Sequence, residues 1–316
     1  MKYITDYKDG DRVFDIYLCK QKSSAMTKNG KPYDNITLQD KTGTVDAKIW
    51  EPNSAGISDF DVFDYIEVYG DITSFQGALQ VNIKRIRKCQ EDEYQAADYL
   101  PVSRYNIEDM YQELLGFVNG LNNKYLKALM TEIFINDVPL VKTFKESSAA
   151  KTIHHGFIGG LLEHTLSVVK LCNFYVTMFP LINKDLLISA ALCHDIGKVR
   201  ELSPFPQNDY TDDGQFLGHI VIGSEIIGEK IRKIPDFPNV LAAELKHCIL
   251  SHHGEFEYGS PKKPAMIEAV ALNFADNTDA KLQSFTELLE NTKTIGWHGY
   301  NRLFESNIIA TRIPAD

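Results

Sequence analysis

The segment ALCHDIGKV, residues 191–199, places a histidine, an aspartate and a lysine close together after a run of small, apolar residues. An adjacent imidazole and carboxylate can form a structural hydrogen bond, or they can hold a divalent cation that activates water for hydrolysis. The segment alone does not decide between these uses, because short motifs also match by chance. The decision depends on whether other metal-binding side chains are directed to the same place.

Other histidines and aspartates lie on the apolar faces of predicted helices, at helical spacing from Leu, Ile, Val, Ala or Cys residues. An isolated histidine on such a face is usually a hydrogen-bonded core residue. Several of them in one core would leave unpaired polar groups, which a divalent metal satisfies together. The inward-facing candidates are His164, His194, Asp195, His219, His252 and Asp276.

These donors are nitrogen and oxygen atoms without a thiolate, since Cys193 is expected to point away from the cluster. Such a set suits manganese, iron, cobalt or magnesium better than a closed structural zinc site. Lys198 follows Asp195 by one turn and could neutralise charge developing on a phosphate. The alternative for Lys198 is a solvent-facing lysine stabilised by the end of a helix.

The elements that carry these residues follow a different region, in which short alternating runs separated by turn signals predict a small antiparallel barrel. Five strands of this kind with an outward aromatic pair suggest an oligonucleotide-binding (OB) barrel. The predicted strands are Val13–Leu18, Tyr33–Gln39, Thr44–Trp50, Tyr65–Thr73 and Ala78–Ile86.

The turn before residues 44–50 predicts a hairpin that brings Tyr33 opposite Trp50 on the outer face. Aromatic rings on such a surface can stack on bases while basic residues follow the phosphates. The alternative is that the two rings merely pack against the next domain. The basic candidates for the phosphate path are Lys48, Lys84, Arg85 and Arg87.

The chain of 316 residues, 44% of them hydrophobic, has a formal net charge of -10, so any nucleic-acid contact should be local. We predict a multidomain α+β protein with an OB-type barrel at 1–89, an acidic linker and helical connector at 90–150, and an all-α domain at 151–316. The start resembles no signal peptide and no segment is long and apolar enough to span a bilayer, so we expect a cytoplasmic protein without a membrane partner.

The order of His164, His194-Asp195 and Asp276 resembles the HD superfamily of metal-dependent phosphohydrolases, and the further histidines resemble its binuclear variants. Longer strings, among them HHGFIGGLLEHTLSV, HDIGKVREL, LQDKTGTVDAKIW and GDITSFQGALQV, are similar to the YhaM-type 3′-to-5′ exoribonucleases of Gram-positive bacteria. The resemblance covers nearly the whole chain.

The resemblance implies that His164, His194, Asp195 and Asp276 hold one metal ion. It also implies that His219, His252 and His253 hold a second ion, with Asp195 bridging the two. The expected cofactors are therefore two divalent ions, manganese first, with cobalt, iron or magnesium as alternatives. For His154 and His155 a substrate contact and a structural role stay open.

The resemblance further implies hydrolysis of single-stranded RNA, and of single-stranded DNA as a second substrate, from the 3′ end. Two alternatives remain, namely a nucleotidase or nucleotide phosphohydrolase of the same superfamily and a non-catalytic single-strand-binding accessory protein. A strand-binding barrel argues against the first alternative, and an open metal site with Lys198 argues against the second. The sequence leaves open whether the protein forms an oligomer.

Overall fold

The computed structural model describes residues 2–75, 77–151, 155–290 and 296–312. The chain divides into two compact units. The first comprises Met1–Val102 with the segment Phe205–Gln207, and the second comprises Ser103–Pro204 with Asn208–Asp316. Among the described residues, no helix has the length and apolar character needed to span a membrane.

The described part of the first unit forms a closed barrel of five strands in the order β1-β2-β3-β5-β4. All neighbouring strands are antiparallel except β3 and β5, which pair in parallel. This arrangement is that of an OB fold and confirms the predicted barrel. The strands are β1 (Arg12–Met26), β2 (Pro32–Asp40), β3 (Gly43–Ile49), β4 (Tyr65–Phe75) and β5 (Ala78–Lys88).

Alternation of buried and exposed residues along the strands fills the barrel, with Leu38 and Ala47 inside and their sequence neighbours outside. Strand β1 is longer than predicted because it pairs with two neighbouring strands. Its first part, Arg12–Leu18, pairs with β4, and the part from Leu18 to Met26 pairs with β2. The register shifts between Cys19 and Gln21, where the strand passes from one neighbour to the other.

The second unit is helical, with a two-stranded hairpin formed by β6 (Trp297–Asn301) and β7 (Ser306–Ile309). Its helices are α1 (Ile107–Asn119), α2 (Lys124–Thr131), α3 (Val138–Glu146), α4 (Gly160–Met178), α5 (Lys184–Cys193), α6 (Lys198–Glu201), α7 (Asp212–Phe216), α8 (Gly218–Ile231), α9 (Asn239–Leu250) and α10 (Ile267–Glu290). Together with the barrel, these helices confirm the predicted α+β class.

One hydrophobic core runs through the helical unit. Leu114 of α1 and Leu126 of α2 belong to this core together with Leu161 of α4 and Leu272 of α10. Helices α1 to α3, which the sequence suggested as part of a connector, are thus packed into the helical unit. The contacts divide the chain after Val102; the functional limits at residues 89 and 150 stay a prediction.

At the turn between α5 and α6, the backbone approaches α8 closely in the centre of this unit. Gly197 lies in that turn, and a Cβ atom built on it would lie 2.0 Å from the carbonyl oxygen of His219. Any other residue would therefore push α8 away from the turn that carries Asp195. The glycine of the HDIGK string allows the His194–Asp195 pair and His219 to meet.

Candidate metal centre and nucleic-acid surface

Five elements of the helical unit place the candidate ligands. His164 lies in α4 and His219 at the start of α8, while Asp276 lies in α10. His194 and Asp195 follow the last residue of α5, and His252 and His253 follow α9. Each side chain extends from an apolar helix or helix end into the same core, so the sequence-predicted ligands come together.

One group of ligand atoms surrounds His164. Its Nε2 atom lies 3.1 Å from Nε2 of His194. The same atom lies 3.4 Å from Oδ2 of Asp195 and 3.2 Å from Oδ1 of Asp276. Four donors from three elements thus share one small volume.

A second group lies on the other oxygen of Asp195. Its Oδ1 atom is 3.4 Å from Nε2 of His219 and 3.7 Å from Nε2 of His252. One nitrogen atom each from His219, His252 and His253 lies within 4.8 Å of the other two. Asp195 therefore directs one carboxylate oxygen to each group, which is the position required of a bridging ligand.

The Nδ1 atoms of these histidines are held from behind. Carbonyl oxygens of Ala191, Ile249 and Tyr258 accept from His194, His252 and His253 at 2.7–2.8 Å. Carboxylates hold the other two rings, with Asp279 2.7 Å from Nδ1 of His164 and Glu201 2.9 Å from Nδ1 of His219. Nδ1 thus carries the proton, and Nε2 faces the centre with a lone pair.

These orientations fit a bound metal. Oδ1 of Asp195 and the Nε2 atoms of His219 and His252 are buried without a hydrogen-bond partner among the described residues. The facing lone pairs of His164 and His194 need a shared positive charge. Adjacent donors around one divalent ion at about 2.1 Å lie about 3 Å apart, close to the 3.1 Å and 3.2 Å separations from His164.

The pKa shifts in the centre also favour a bound cation. Burial would raise the pKa of Asp195, but the charges of Lys198 and His194 hold it well below its ordinary value. Burial alone would lower the pKa of His164, yet the neighbouring carboxylates raise it well above its ordinary value. Burial lowers the pKa of His194 to about 4. The buried carboxylates stay ionised and draw positive charge into the centre, which a divalent cation can supply.

Lys198 is the cation already present in this centre. Its Nζ atom lies 2.7 Å from Oδ2 of Asp195, and its side chain is 15% exposed. Burial lowers the pKa of Lys198, but Asp195 outweighs this and raises it. Lys198 therefore faces the cluster as a charged group and not the open solvent. Cys193 lies elsewhere, with Sγ 3.5 Å from Sδ of Met130.

Two carboxylates of the centre escaped the sequence analysis. Asp279 and Glu201 orient His164 and His219 but do not face the ligand cluster. Asp279 lies one helical turn after Asp276, so the spacing in α10 could have indicated it. His155 also contacts Asp279, with Nε2 at 3.2 Å, and is 2% exposed; this position favours the structural role. His154 lies outside the described residues.

On the barrel, the predicted aromatic pair is formed. The rings of Tyr33 and Trp50 are stacked with centroids 5.2 Å apart, and Trp50 is 48% exposed. Lys48 lies over the Tyr33 ring at 5.3 Å, and it donates a hydrogen bond to Asn35. The indole nitrogen of Trp50 donates to Asn82 at 3.0 Å. An aromatic platform with an adjacent cation therefore lies on β2 and at the end of β3.

The other basic residues predicted for the phosphate path, Lys84, Arg85 and Arg87, lie on β5. Lys84 is paired with Asp71. Arg87 donates to Glu67 at 2.7 Å and to Glu93 at 2.8 Å, so carboxylates already occupy it. Arg85 lies opposite Tyr69 of β4, away from the Trp50 strand. Only a bulge between β4 and β5 lets Lys84 and Arg85 both face outward.

Comparison with known proteins gives consistent relatives. Residues 161–281 match the HD domain family. A 3'-5' exoribonuclease YhaM from Geobacillus sp. (strain WCH70) is 35% identical over 297 residues, covering 92% of this chain and 89% of that protein. A 3'-5' exoribonuclease YhaM from Listeria monocytogenes serotype 4b (strain CLIP80459) is 32% identical over 296 residues, covering 92% of each.

Among solved structures, the second OB-fold domain of replication protein A from Methanococcus maripaludis matches 28% of this chain and 95% of that chain. The sequence identity is 16% and the TM-score is 0.24. A score of this size adds no argument to the strand order of the barrel itself.

Proposed function

The chain belongs to the YhaM family of 3′-5′ exoribonucleases, and on this premise we propose that it hydrolyses single-stranded RNA from the 3′ end at the centre around Asp195. Single-stranded DNA is the second substrate of the proposal. The observation that carries it is the convergence of anchored histidine Nε2 atoms on the two oxygens of Asp195. A scaffold does not need imidazoles whose lone pairs are all turned inward.

In this proposal the ligands are divided into two sets that share Asp195. The first set is His164, His194, Asp195 and Asp276, and the second is His219, His252, His253 and Asp195. Manganese is the proposed metal in both, because nitrogen and oxygen donors without thiolate suit it. Two divalent ions held there would bind phosphate oxygens and make a water molecule more acidic.

The protein's own groups do the positioning. Asp195 stays ionised at neutral pH because Lys198 and the histidines lower its pKa. Lys198 donates one hydrogen to Asp195 and has two further N–H groups for the phosphate, on which negative charge increases as the new P–O bond forms and the old one breaks. Asp279 and Glu201 hold the imidazoles in the tautomer that leaves Nε2 free.

The barrel supplies the strand-binding part of the proposal. Stacked Tyr33 and Trp50 offer ring faces to unpaired bases, and Lys48 lies beside them. Residues 1–89 thus capture the strand, 151–316 carry out the hydrolysis, and 90–150 connect them. A nucleotidase acting on free nucleotides would have no use for this platform. We place the reaction in the cytoplasm.

The test uses purified protein and 5′-labelled single-stranded RNA and DNA, with and without added manganese. The proposal expects a ladder that shortens by single nucleotides from the 3′ end only when metal is present. Release of inorganic phosphate from free nucleotides with intact strands would favour the nucleotidase instead. Tight strand binding without any hydrolysis would favour an accessory protein.

A further inference from the structure

A groove of about 550 Å³ opens on the barrel surface away from the Tyr33–Trp50 pair. Its walls come from β1, β4 and β5 and from the loop before β4. The residues that matter for its chemistry are Phe14, Gly56, Glu67, Tyr69, Arg85 and Arg87. The metal centre does not use this groove, and of these residues only Arg85 and Arg87 are among the phosphate contacts predicted from the sequence.

The strand register builds one aromatic wall of the groove. Phe14 pairs with Tyr69 across β1 and β4, and Tyr69 pairs with Arg85 across β4 and β5. The two rings meet edge to face with centroids 6.1 Å apart. Phe14 is 69% exposed and Tyr69 is 38% exposed. Single exposed aromatics are common, but a contacting pair beside a groove offers a ready face to a planar ligand.

One positive charge in the groove, that of Arg85, has no carboxylate partner among the described residues. Glu67 is already bound by Arg87, which Glu93 also binds. In contrast, no described side chain or carbonyl accepts a hydrogen bond from Arg85, and no described carboxylate pairs with it. Gly56 borders the stem of Arg85, since a Cβ built there would lie 3.1 Å from its Cγ. The guanidinium of Arg85 therefore remains available to an anion.

We propose that this groove is a second binding site for single-stranded nucleic acid, which takes an unpaired base against Phe14 and Tyr69 and its phosphate against Arg85. A planar ring face next to a free guanidinium matches a nucleotide, whose base is aromatic and whose phosphate is anionic. The inference rests on the proposed function, because it assumes that the barrel binds the substrate strand.

The groove lies close enough to the Tyr33–Trp50 pair for one nucleic-acid strand to contact both. This position favours the substrate strand as its ligand over another kind of partner. Between the two aromatic pairs, Trp50 donates to Asn82 at 3.0 Å and Asn82 donates to Thr73 at 2.9 Å. Counted across the sheet from β3 through β5 and β4 to β1, the two aromatic pairs are separated by three strand spacings, or about 15 Å. A site of about 4–16 nucleotides per OB fold is long enough to cover both pairs.

The test measures the affinity of the full-length, metal-loaded protein for fluorescent single-stranded RNA whose phosphorothioate linkages resist cleavage. Phe14→Ala and Arg85→Ala are compared with Phe174→Ala and Arg302→Ala, which remove exposed side chains of the same types from the helical unit. We expect Phe14→Ala to weaken binding of a long strand about tenfold. Arg85→Ala should also lower the salt dependence by about one phosphate contact.

The length of the RNA provides a second readout. The loss of affinity should disappear for oligonucleotides that are too short to contact both aromatic pairs. Photo-crosslinking of a thiouridine-containing strand to the wild-type protein should label the peptide that contains Phe14 or Tyr69, which keeps the test valid if a variant misfolds. Long-strand affinities equal to those of the controls, with no crosslink in the groove, would overturn the inference.

The failures of the two proposals are distinguishable. If Trp50→Ala weakens strand binding but Phe14→Ala and Arg85→Ala do not, the groove is not a strand site and the proposed function stands. If the wild-type protein binds no strand, both are overturned. A change in molecular mass for Phe14→Ala with unchanged strand affinity would assign the groove to contact between copies of the chain and would also overturn the inference.

Discussion

Trp50 on the barrel leaves 48% of its surface exposed, whereas His194 and His252 in the helical unit are fully buried. The two regions also hold their polar groups differently. Each histidine of the metal centre has its Nδ1 fixed by a carbonyl or carboxylate, while Lys84 of the barrel is held by a partly exposed ion pair. The rings of one region are buried and anchored by hydrogen bonds, whereas the other region holds its polar groups by exposed contacts.

This difference has an energetic origin. Removing a partner from a buried charge leaves an uncompensated group, which is strongly destabilising, whereas an exposed ion pair contributes about 0–1 kcal/mol. Substitutions in the metal centre should therefore have large effects on chemistry and metal affinity. Substitutions on the barrel should have moderate effects that depend on strand length and on salt. The following experiments test this contrast.

The largest effect is expected for Asp195→Ala. The substitution removes the carboxylate that faces both groups of histidines, and no other described carboxylate lies between them. We expect hydrolysis of RNA to fall by at least about a thousandfold and the bound metal per chain to decrease. Activity assays and elemental analysis of the purified variant measure the two losses.

Asp195→Asn serves as the control for shape, since it keeps the side-chain volume and removes the charge. Both variants should lose metal if the charge is what matters. Near wild-type turnover in either one would contradict the assignment of this centre as the reaction site.

A smaller loss is expected for Lys198→Ala. The lysine contacts Asp195 but lies outside the set of metal ligands, so the metal content should stay unchanged. Turnover should decrease by about a hundredfold, as for other single electrostatic stabilisers. Lys142→Ala, an exposed lysine of α3, is the matched control and should retain full activity. Loss of metal from Lys198→Ala would show that the lysine is structural.

Asp279→Asn tests the anchoring of His164 from behind. Its Oδ2 atom accepts from Nδ1 of His164 at 2.7 Å, and Ser167 donates to its other oxygen. Loss of the charge should weaken metal binding about 10–100-fold without removing a ligand, so excess manganese should restore turnover. Metal titration measures the shift, with Asp109→Asn as an exposed control. An unchanged metal affinity would mean that packing alone orients His164.

Most candidate ligands could be predicted from the sequence because they lie on the inward face of an apolar helix or directly follow such a helix. Apolar neighbours at intervals of three and four residues mark that face for His164 and Asp276. The spacing in α10 places Asp279 one turn after Asp276, but it does not show what Asp279 contacts. Asp279 reaches His164 from a helix more than a hundred residues later, and local spacing does not encode such contacts.

In the barrel, sequence patterns predicted the strands and one cross-strand contact but not the bulge at Lys84. Alternation predicted the strands, and the hairpin predicted the Tyr33–Trp50 contact. The arrangement of the basic residues was harder to predict, because Lys84 is the extra residue of a bulge opposite Tyr69 and Gly70. A bulge changes which residues face outward, and the pattern of apolar residues does not fix its position.

Trp50→Ala should weaken the binding of a long strand by about tenfold or more, since stacking contributes about 1–3 kcal/mol per base. Cleavage of a chromogenic phosphodiester too small to reach the barrel should continue at the wild-type rate. The chain offers a matched control in Trp297→Ala, which removes a tryptophan that is 62% exposed in the helical unit. Equal losses on long and small substrates would assign Trp50 to support of the fold instead of strand capture.

The smallest effect is expected for Lys84→Ala, and it should be seen in the salt dependence. Lys84 and Asp71 are 57% and 38% exposed, so the lysine can leave its partner for a phosphate at a cost of about 1 kcal/mol or less. Removing one phosphate contact should lower the slope of log affinity against log salt by about 0.7 on a single strand. Asp71→Asn should raise affinity slightly, because it frees Lys84. Lys41→Ala removes a similar exposed lysine, paired with Asp98 at 3.4 Å, and should leave the slope unchanged. If the two lysine variants give the same slope, Lys84 stays on Asp71 in the complex, and the phosphate path must use Lys48 and Arg85 instead.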